Sequence, residues 1–496
     1  MKDQAPGPAP APAPKRRTPG SGAETDPGAA PDAADAVDAA DAGERRRALR
    51  TRRLIEAPIA PTLARLAAPN VIAMFAQGAQ TVAEAYFASR LGVSALAGLA
   101  LVFPLVMLTQ MLSAGAIGGA ISAALARALG AGDRARAASL TLAAWIVAIG
   151  MALAMAMLVA LGGRAFFALL GGGPQAVAAA AAYAMVFFPG ALAVWLGNAS
   201  FSVIRGGGNM PVPALLLLLV TALSIPVSGA CALGWGPLPR LGMAGLALGP
   251  VLAFAIGGLI AMGHIAIARP GLDIHAAARR LNRAMFRDIL GVGAMASVNA
   301  VLTVVTILAM TSLVGRFGES ALAGYGLGAR LELLMIPVIF GIGAALTAMV
   351  GANIGAGRPG RALRVAWTGA GAAAVIVGGI GLLLAVFPDL WLGLFLDPTE
   401  TETLAAGRAY FRLVAPFYGF FGLGLALYFA SQGAGRMAWP VASSLVRMAV
   451  ALGGALGLTR LADRGLNGVF LAIGLGMLAY GLVIALAIGR RGWGAK

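Results

Sequence analysis

Along most of the chain, apolar residues run on without the polar interruptions that a water-soluble helix or strand requires. Asp, Glu, Lys and Arg are absent from 66–83, 91–126, 137–163, 165–204, 206–239, 241–268, 289–315, 333–357, 365–388, 413–435 and 465–489, and 437–459 is broken only by Arg447. A helix rises about 1.5 Å per residue and needs about 20 residues to cross roughly 30 Å of hydrocarbon. Nearly every stretch fits one crossing, so the pattern predicts an all-α polytopic membrane protein with twelve transmembrane helices. Residues 1–55 read differently. APGPAPAPAPKRR is followed by Ala, Asp and Gly with almost no bulky apolar side chain, a composition unable to bury a core. We expect a disordered tail there, ending in the basic cluster RRRALRTRR at 45–53, with no secretory cleavage pattern ahead of the first span.

The spans fall into two related sets. SRLGVSALAG at 89–98 returns as GRFGESALAG at 315–324, ALGAGDRARA at 128–137 as NIGAGRPGRA at 353–362, and RGGGNMPVP at 205–213 as QGAGRMAWP at 432–440. The offsets agree to within two residues and the order is kept, which indicates an internal repeat. Six spans per copy is an even number, so both copies enter from one side and form a parallel repeat of two pseudo-symmetric six-helix bundles, 56–268 and 289–490. Between them, from Asp273 on, Ile274, Leu281, Met285 and Ile289 fall mostly on one side and Arg279, Arg280, Arg283 and Arg287 elsewhere. That pattern predicts an interfacial amphipathic linker helix over 269–288. Residues 491–496 form a short tail.

Composition agrees: 59% of the 496 residues are apolar, 70 are Gly and only 11% are charged. The 37 basic against 20 acidic residues would suggest nucleic acid in a soluble protein, but they cluster at span ends. With the N-terminus inside, the tail, even connections and C-terminus carry 27 Lys and Arg against seven in the odd connections. The positive-inside rule then places both termini in the cytoplasm, with the protein multi-pass in a bacterial inner membrane and no nucleic-acid partner. One cysteine, Cys231, excludes an intrachain disulfide framework, and two histidines, His264 and His275, leave little room for a His-rich metal site. No phosphate loop, metal triad or nucleophile constellation appears, which argues against an enzyme; no cofactor or resident metal is expected.

Few acids lie within spans, and each is presumed functional because a buried carboxylate costs at least about 2.5 to 3.5 kcal/mol. Glu84, in TVAEAYFA, follows Pro61 by about 23 residues, ~34 Å along the first helix and toward its outer end. A proton or a sodium ion can neutralise it, with a cationic cargo competing for the same charge, which is the logic of antiport. The structural alternative is a carboxylate solvated at the interface or paired with Arg90. Gln77, Gln80 and Glu84 share a helix face, as do Thr221, Ser224 and Ser228, and Asn299, Thr303 and Thr306; each set is a candidate cavity lining or a helix-to-helix hydrogen-bonding seam. Asn70, Asn198 and Tyr325 are weaker candidates. Glu332, two residues after Arg330, is placed for pairing with another helix rather than within its own, in a structural or coupling role. Arg447, alone in its span, requires a cavity or a partner. GAIGGAISAALARALGAG and GIGAALTAMVGANIGAG put small residues four apart, which permits close helix approach. Pro69, Pro104, Pro189, Pro226, Pro337 and Pro416 lie in or beside spans; Pro69, in the Glu84 helix, is the candidate hinge.

AEAYFASRLGVSALAG, ALGAGDRARA, IRGGGNMPVP and GARLELLMIP together resemble signatures of the multidrug and toxic compound extrusion (MATE) family, over about residues 60 to 490. The resemblance implies two bundles arranged as a V around a central cavity. It implies export of organic cations or amphipathic drugs against H⁺ or Na⁺, with Glu84 at the family's first-span acid, and we expect a monomer in membrane lipid. Where many relatives carry Asn and Asp on span five, this chain has Ser224 and Ser228, and spans seven and ten hold no acid in 289–315 or 413–435. A lone Glu with weak hydroxyl ligands favours a proton over tightly held Na⁺. The alternative in the same superfamily is a flippase for a lipid-linked oligosaccharide or related lipid, which should show a strongly cationic cavity.

Overall fold

The computed structural model describes residues 45, 48–268, 274–460 and 464–493, with the backbone alone for 268, 274–276, 460 and 491. Of the disordered tail expected over 1–55, residues 1–44, 46 and 47 lie outside the described residues, and its last part is instead helical over 48–56. Among those described, twelve helices are long and apolar enough to cross a membrane: α1 (Ile59–Leu91), α2 (Val93–Gly130), α3 (Arg134–Leu169), α4 (Pro174–Gly206), α5 (Pro211–Leu233), α6 (Gly242–Ile267), α7 (Arg283–Gly315), α8 (Glu319–Gly355), α9 (Pro359–Val386), α10 (Thr401–Ala434), α11 (Ala438–Thr459) and α12 (Gly465–Arg490). No strand occurs among them. Their outer surfaces are apolar: on α3 alone Leu153, Met157, Leu158 and Leu161 are exposed. Such a surface is stable only when the solvent is lipid.

The repeat is visible in the turns. Gly92 and Gly318, Gly132 and Gly357, and Gly208 and Gly435 all take positive φ, at 123° and 104°, 76° and 69°, and 77° and 74°. Each pair occupies matching places in the three duplicated motifs, where a left-handed residue ends a helix and a Cβ would be strained.

Two hydrophobic cores fill the molecule. One takes in the N-terminal half together with Met285 to Ala296 of α7, Ile342 to Ala352 of α8 and Ala426 to Ala434 of α10. The other is built from the C-terminal half alone, from Met310 and Val314 of α7 to Val469 and Tyr480 of α12. The halves therefore merge at one end of the bundle, the end that carries Arg127, Arg136, Arg358 and Arg361, and each packs on itself at the other. We call these the basic end and the opposite end.

Glycines make the junction. The two glycine-rich stretches of α2 and α8 meet each other: a Cβ on Gly130 would overlap the Ala352 carbonyl, one on Gly355 the Arg127 carbonyl, and one on Gly351 would lie 2.9 Å from the Ala126 methyl. Gly341 of α8 admits Val71 of α1 in the same way. Small residues at this spacing let backbones touch, so dispersion over many close atoms replaces the missing side chains. Ahead of α1, residues 48–56 are helical and reach the C-terminal half, where Asn353 Nδ2 donates to the Leu54 carbonyl at 3.0 Å and Arg361 donates to that of Ala57.

Two further sequence readings are corrected by the helix boundaries. The linker is not one amphipathic helix over 269–288: residues 269–273 lie outside the described set, Ile274–Arg279 forms a short helix, and α7 begins at Arg283. The reason is Asn282, whose side chain accepts from the Met285 amide at 3.2 Å and caps a new helix, leaving Met285 and Ile289 buried in the bundle. α10 begins at Thr401 rather than with the charge-free run at 413, because its first turns are amphipathic and Arg408 lies against Asp389 at 2.8 Å. A 3₁₀ turn at Ala415–Phe417, at Pro416, joins its two parts. α2 contains a π-helical segment, Met111–Ile117, which the sequence pattern does not announce.

Candidate functional site

Glu84 lies near the opposite end of α1, half-buried, and accepts a hydrogen bond from Gln80 Nε2 at 3.0 Å one turn earlier. The i,i+4 spacing stacks amide on carboxylate. Tyr183 of α4, fully buried, stands within electrostatic reach of the same carboxylate. No basic side chain pairs with Glu84 among the described residues; Arg90 is exposed at the helix end. The arrangement is a carboxylate inside a span with one amide donor and a nearby phenol, able to take up a proton or a small cation without first breaking an ion pair. Gln77 is half-buried one turn further along the same face.

The C-terminal half holds its acid differently. Glu332 of α8 accepts a short hydrogen bond from the Tyr410 hydroxyl of α10. The buried Tyr418 hydroxyl lies close to the same carboxylate without a well-formed hydrogen bond. Arg447 of α11 supplies the positive charge nearby, its guanidinium carbon 5.3 Å from the centroid of Phe421 and 5.8 Å from that of Tyr480. The solitary arginine thus packs on two π faces, with an acid across the bundle within electrostatic reach. Tyr325 packs edge-on against Tyr410 at 5.7 Å. Arg330 is not brought into this cluster.

The hydroxyl sets do not line a common cavity with Glu84. Ser224 and Ser228 of α5 are fully buried against α6, where a Cβ on Gly249 would strike both, and Ser228 Oγ donates to the Leu246 carbonyl at 3.0 Å. Thr221 is also buried, and its hydroxyl, like that of Ser224, has no partner. Small hydroxyls fit where Gly249 lets the helices touch, so this face is a packing seam. On α7, Asn299 is buried and accepts from Ser444 of α11, half-buried Thr303 donates to the Asn299 carbonyl at 3.0 Å, and Thr306 donates to that of Leu302 at 2.7 Å. Asn198 bonds Ser113 Oγ at 2.9 Å and Gln110 Oε1 at 3.2 Å, bracing the π segment. Asn70, buried after Pro69 in α1, makes only long contacts of 3.4 Å.

Sequence reasoning missed the residues that close the basic end. Arg127 of α2 reaches Asp288 of α7 at 2.6 Å and the Gly433 carbonyl of α10 at 3.0 Å, and Arg136 of α3 shares Asp288 at 3.1 Å. Arg205, counted from sequence as a loop charge, is 4% exposed at the end of α4 and lines a pocket between the halves. A signal was available, since Arg205 and Gln432 open the third duplicated motif.

Comparison with known proteins places this geometry. The signature of the MatE family matches residues 69–228 and 295–455, one block in each half. Among curated proteins, the chain is 28% identical over 439 residues to a probable multidrug resistance protein, NorM, of Deinococcus radiodurans, covering 85% of this chain and 93% of that one. It is 25% identical over 385 residues to a FAD transporter of Shewanella oneidensis, covering 76% and 82%. In fold it matches a MOP superfamily transporter from Pyrococcus furiosus with a TM-score of 0.81 at 23% identity, over 88% of this chain and 97% of that one.

Proposed function

Because the chain belongs to the MatE family, we propose that it is a secondary active antiporter exporting organic cations or amphipathic drugs in exchange for H⁺ or Na⁺ by alternating access. One observation carries the coupling half of this reading: Glu84 is a half-buried carboxylate within a span, held by Gln80 and within electrostatic reach of Tyr183, with no cation paired to it among the described residues. A group so placed binds whichever positive species is offered, so an inorganic ion and a cationic cargo exclude each other. A single acid with amide and phenol neighbours offers too few hard oxygens for tight Na⁺ binding, which favours the proton. The names of the relatives, drug resistance and FAD transport, support a small-molecule cargo.

The two cores support the transport half. With the halves merged at the basic end and self-packed at the opposite end, the structure fits a state open to the side that Glu84 adjoins. The excess of Lys and Arg supports placing the basic end and both termini in the cytoplasm of a bacterial inner membrane. The flippase alternative is weaker, because Arg447 packs over two rings within electrostatic reach of Glu332 and, among the described residues, is one arginine rather than a cationic wall.

The test is efflux of a fluorescent cation from proteoliposomes under an imposed pH gradient, a Na⁺ gradient or neither. Glu84→Gln should lose gradient-driven efflux while still binding the dye. Undiminished gradient-driven efflux in that variant ends the coupling reading.

A further inference from the structure

Arg205 is the most deeply buried cation in the described structure, 4% exposed, and its charge is not balanced by any residue around it. The carboxylate that pairs across the basic-end junction, Asp288, is already shared by Arg127 and Arg136. Among the described residues the guanidinium makes no ion pair, no hydrogen bond and no contact with an aromatic face, and its Nε is buried without a partner. Leaving a charge in this condition costs several kcal/mol, so a counter-charge from outside the chain is the physical expectation.

The pocket that Arg205 lines is suited to one. It lies between the glycines of α2, the last turns of α4 and α10 and residues 340–347 within α8. Ser122 adds a hydroxyl that makes no hydrogen bond in the described structure. The other hydroxyls are already used: Ser202 donates to the Asn198 carbonyl at 2.7 Å and Thr347 to those of Gly343 and Phe429 at 3.0 Å. Gln432, at the position matching Arg205 in the other half, spends its amide on the Gly115 and Ala116 carbonyls at 3.1 Å and leaves Oε1 without a donor. The five N–H groups of a guanidinium suffice to supply that oxygen, through a water, and an anion besides. A Cβ on Gly119 would overlap the Gln432 amide, so the space exists only because this position is glycine. The room is that of one or two waters, which excludes a drug or a lipid headgroup.

We propose that this pocket binds a small monovalent anion of chloride size, held by Arg205 and the Ser122 hydroxyl of the N-terminal half in a space that Thr347, Phe429 and Gln432 of the other half close. The site is independent of the cargo and of Glu84. It predicts a halide requirement for the basic-end-closed state, because a ligand bound at the junction stabilises the conformation that forms it.

The direct test is ³⁵Cl line broadening on purified protein in detergent, with gluconate replacing chloride at constant ionic strength, alongside thermal unfolding in the same buffers. The wild-type protein should show saturable broadening, displaced by bromide and nitrate, and unfold several degrees higher in chloride than in gluconate. Arg205→Met should lose both responses. Ser122→Asp supplies an internal carboxylate, and should unfold at one temperature in either buffer and show no saturable broadening; it keeps the test decisive if Arg205→Met does not fold. Absence of saturable broadening in wild type, its survival in either variant, or displacement of chloride by sulfate at lower concentration than by bromide would overturn the assignment.

Discussion

Replacing Asp288 by Asn should open the basic end. Asp288 belongs to α7, and its two partners, Arg127 and Arg136, belong to α2 and α3, so the contact crosses between halves. The Arg127 pair is short at 2.6 Å with side chains only 16% and 22% exposed, whereas Arg136 is 47% exposed and contributes little. Exposed pairs are worth about 0.2–1 kcal/mol and breaking a fully buried pair costs about 3–5, which brackets this one near 2 kcal/mol. Asn keeps the shape and removes the charge, leaving Arg127 only the Gly433 carbonyl. A loss of about 2 kcal/mol from one state of a two-state equilibrium shifts the population about 30-fold. The readout is thiol labelling at Ser122→Cys in a Cys231→Ala background, since Ser122 is 4% exposed and lies in the pocket between the halves. With rare, fast opening, the labelling rate by a water-soluble reagent follows the open population and should rise about 30-fold in Asp288→Asn. Adding Arg127→Gln to Asp288→Asn should add only the loss of the bond to the Gly433 carbonyl, about 0.5–1.5 kcal/mol, and so fall short of the sum of the two single variants, which share the Arg127–Asp288 contact. A change under about twofold, in protein that still elutes as a folded species, would refute the reasoning.

Further outcomes follow from the same contacts. Gly130→Ala and Gly355→Ala should raise the same labelling rate, each at about 1–3 kcal/mol, while Gly150→Ala, which meets open space, should leave it unchanged. Tyr410→Phe should lower the unfolding temperature by removing a donor to Glu332, Glu332→Gln should lower it further by stranding Arg447, and Glu332→Gln with Arg447→Gln should recover part of the loss. Ser224→Ala should be neutral or stabilising because its hydroxyl has no partner, Ser228→Ala should cost about 1 kcal/mol for its bond to Leu246, and dye efflux should persist in both. Pro69→Ala should slow dye efflux without altering dye binding; normal efflux removes the hinge.

Spans and turns were legible in the sequence because lipid imposes a rule that a single chain must obey. Charge-free runs of about 20 residues mark crossings, and glycines that end helices recur at matching places in both halves. The break before α7 was legible in principle, since Asn282 is a capping residue, yet the amphipathic pattern of Ile274 to Ile289 ran through it. Pairings across the bundle were not legible. Nothing local links Glu332 to Tyr410, 78 positions away, or Arg127 to Asp288, 161 positions away. Hydroxyls three and four apart on α5 look the same whether they face a cavity or a neighbouring helix; Gly249 of α6 decides it, and only the fold brings it there.

The duplicated scaffold carries an unduplicated charge pattern, and the proposed mechanism depends on that difference. In the C-terminal half Glu332 accepts from Tyr410 and lies within electrostatic reach of Arg447, so its cluster braces α8, α10 and α11. In the N-terminal half Glu84, at a place the repeat does not pair with Glu332, has no basic partner among the described residues, which in the proposed mechanism leaves it free to change charge with whatever binds it. α1 carries that acid near one end, and at Val71, 13 residues earlier, it fits against Gly341 of the other half. This is ~20 Å along the helix, with Pro69 just beyond the contact. In the proposed mechanism, neutralising Glu84 changes how strongly the opposite end of α1 is held within its own half. A bend at Pro69 would then carry that change to the seam where the two halves touch. A symmetric pair of acids would give each half the same response, and the difference that drives one half against the other would vanish. One variable acid set against one held by Tyr410 near Arg447 supplies the asymmetry that rocking between two states requires.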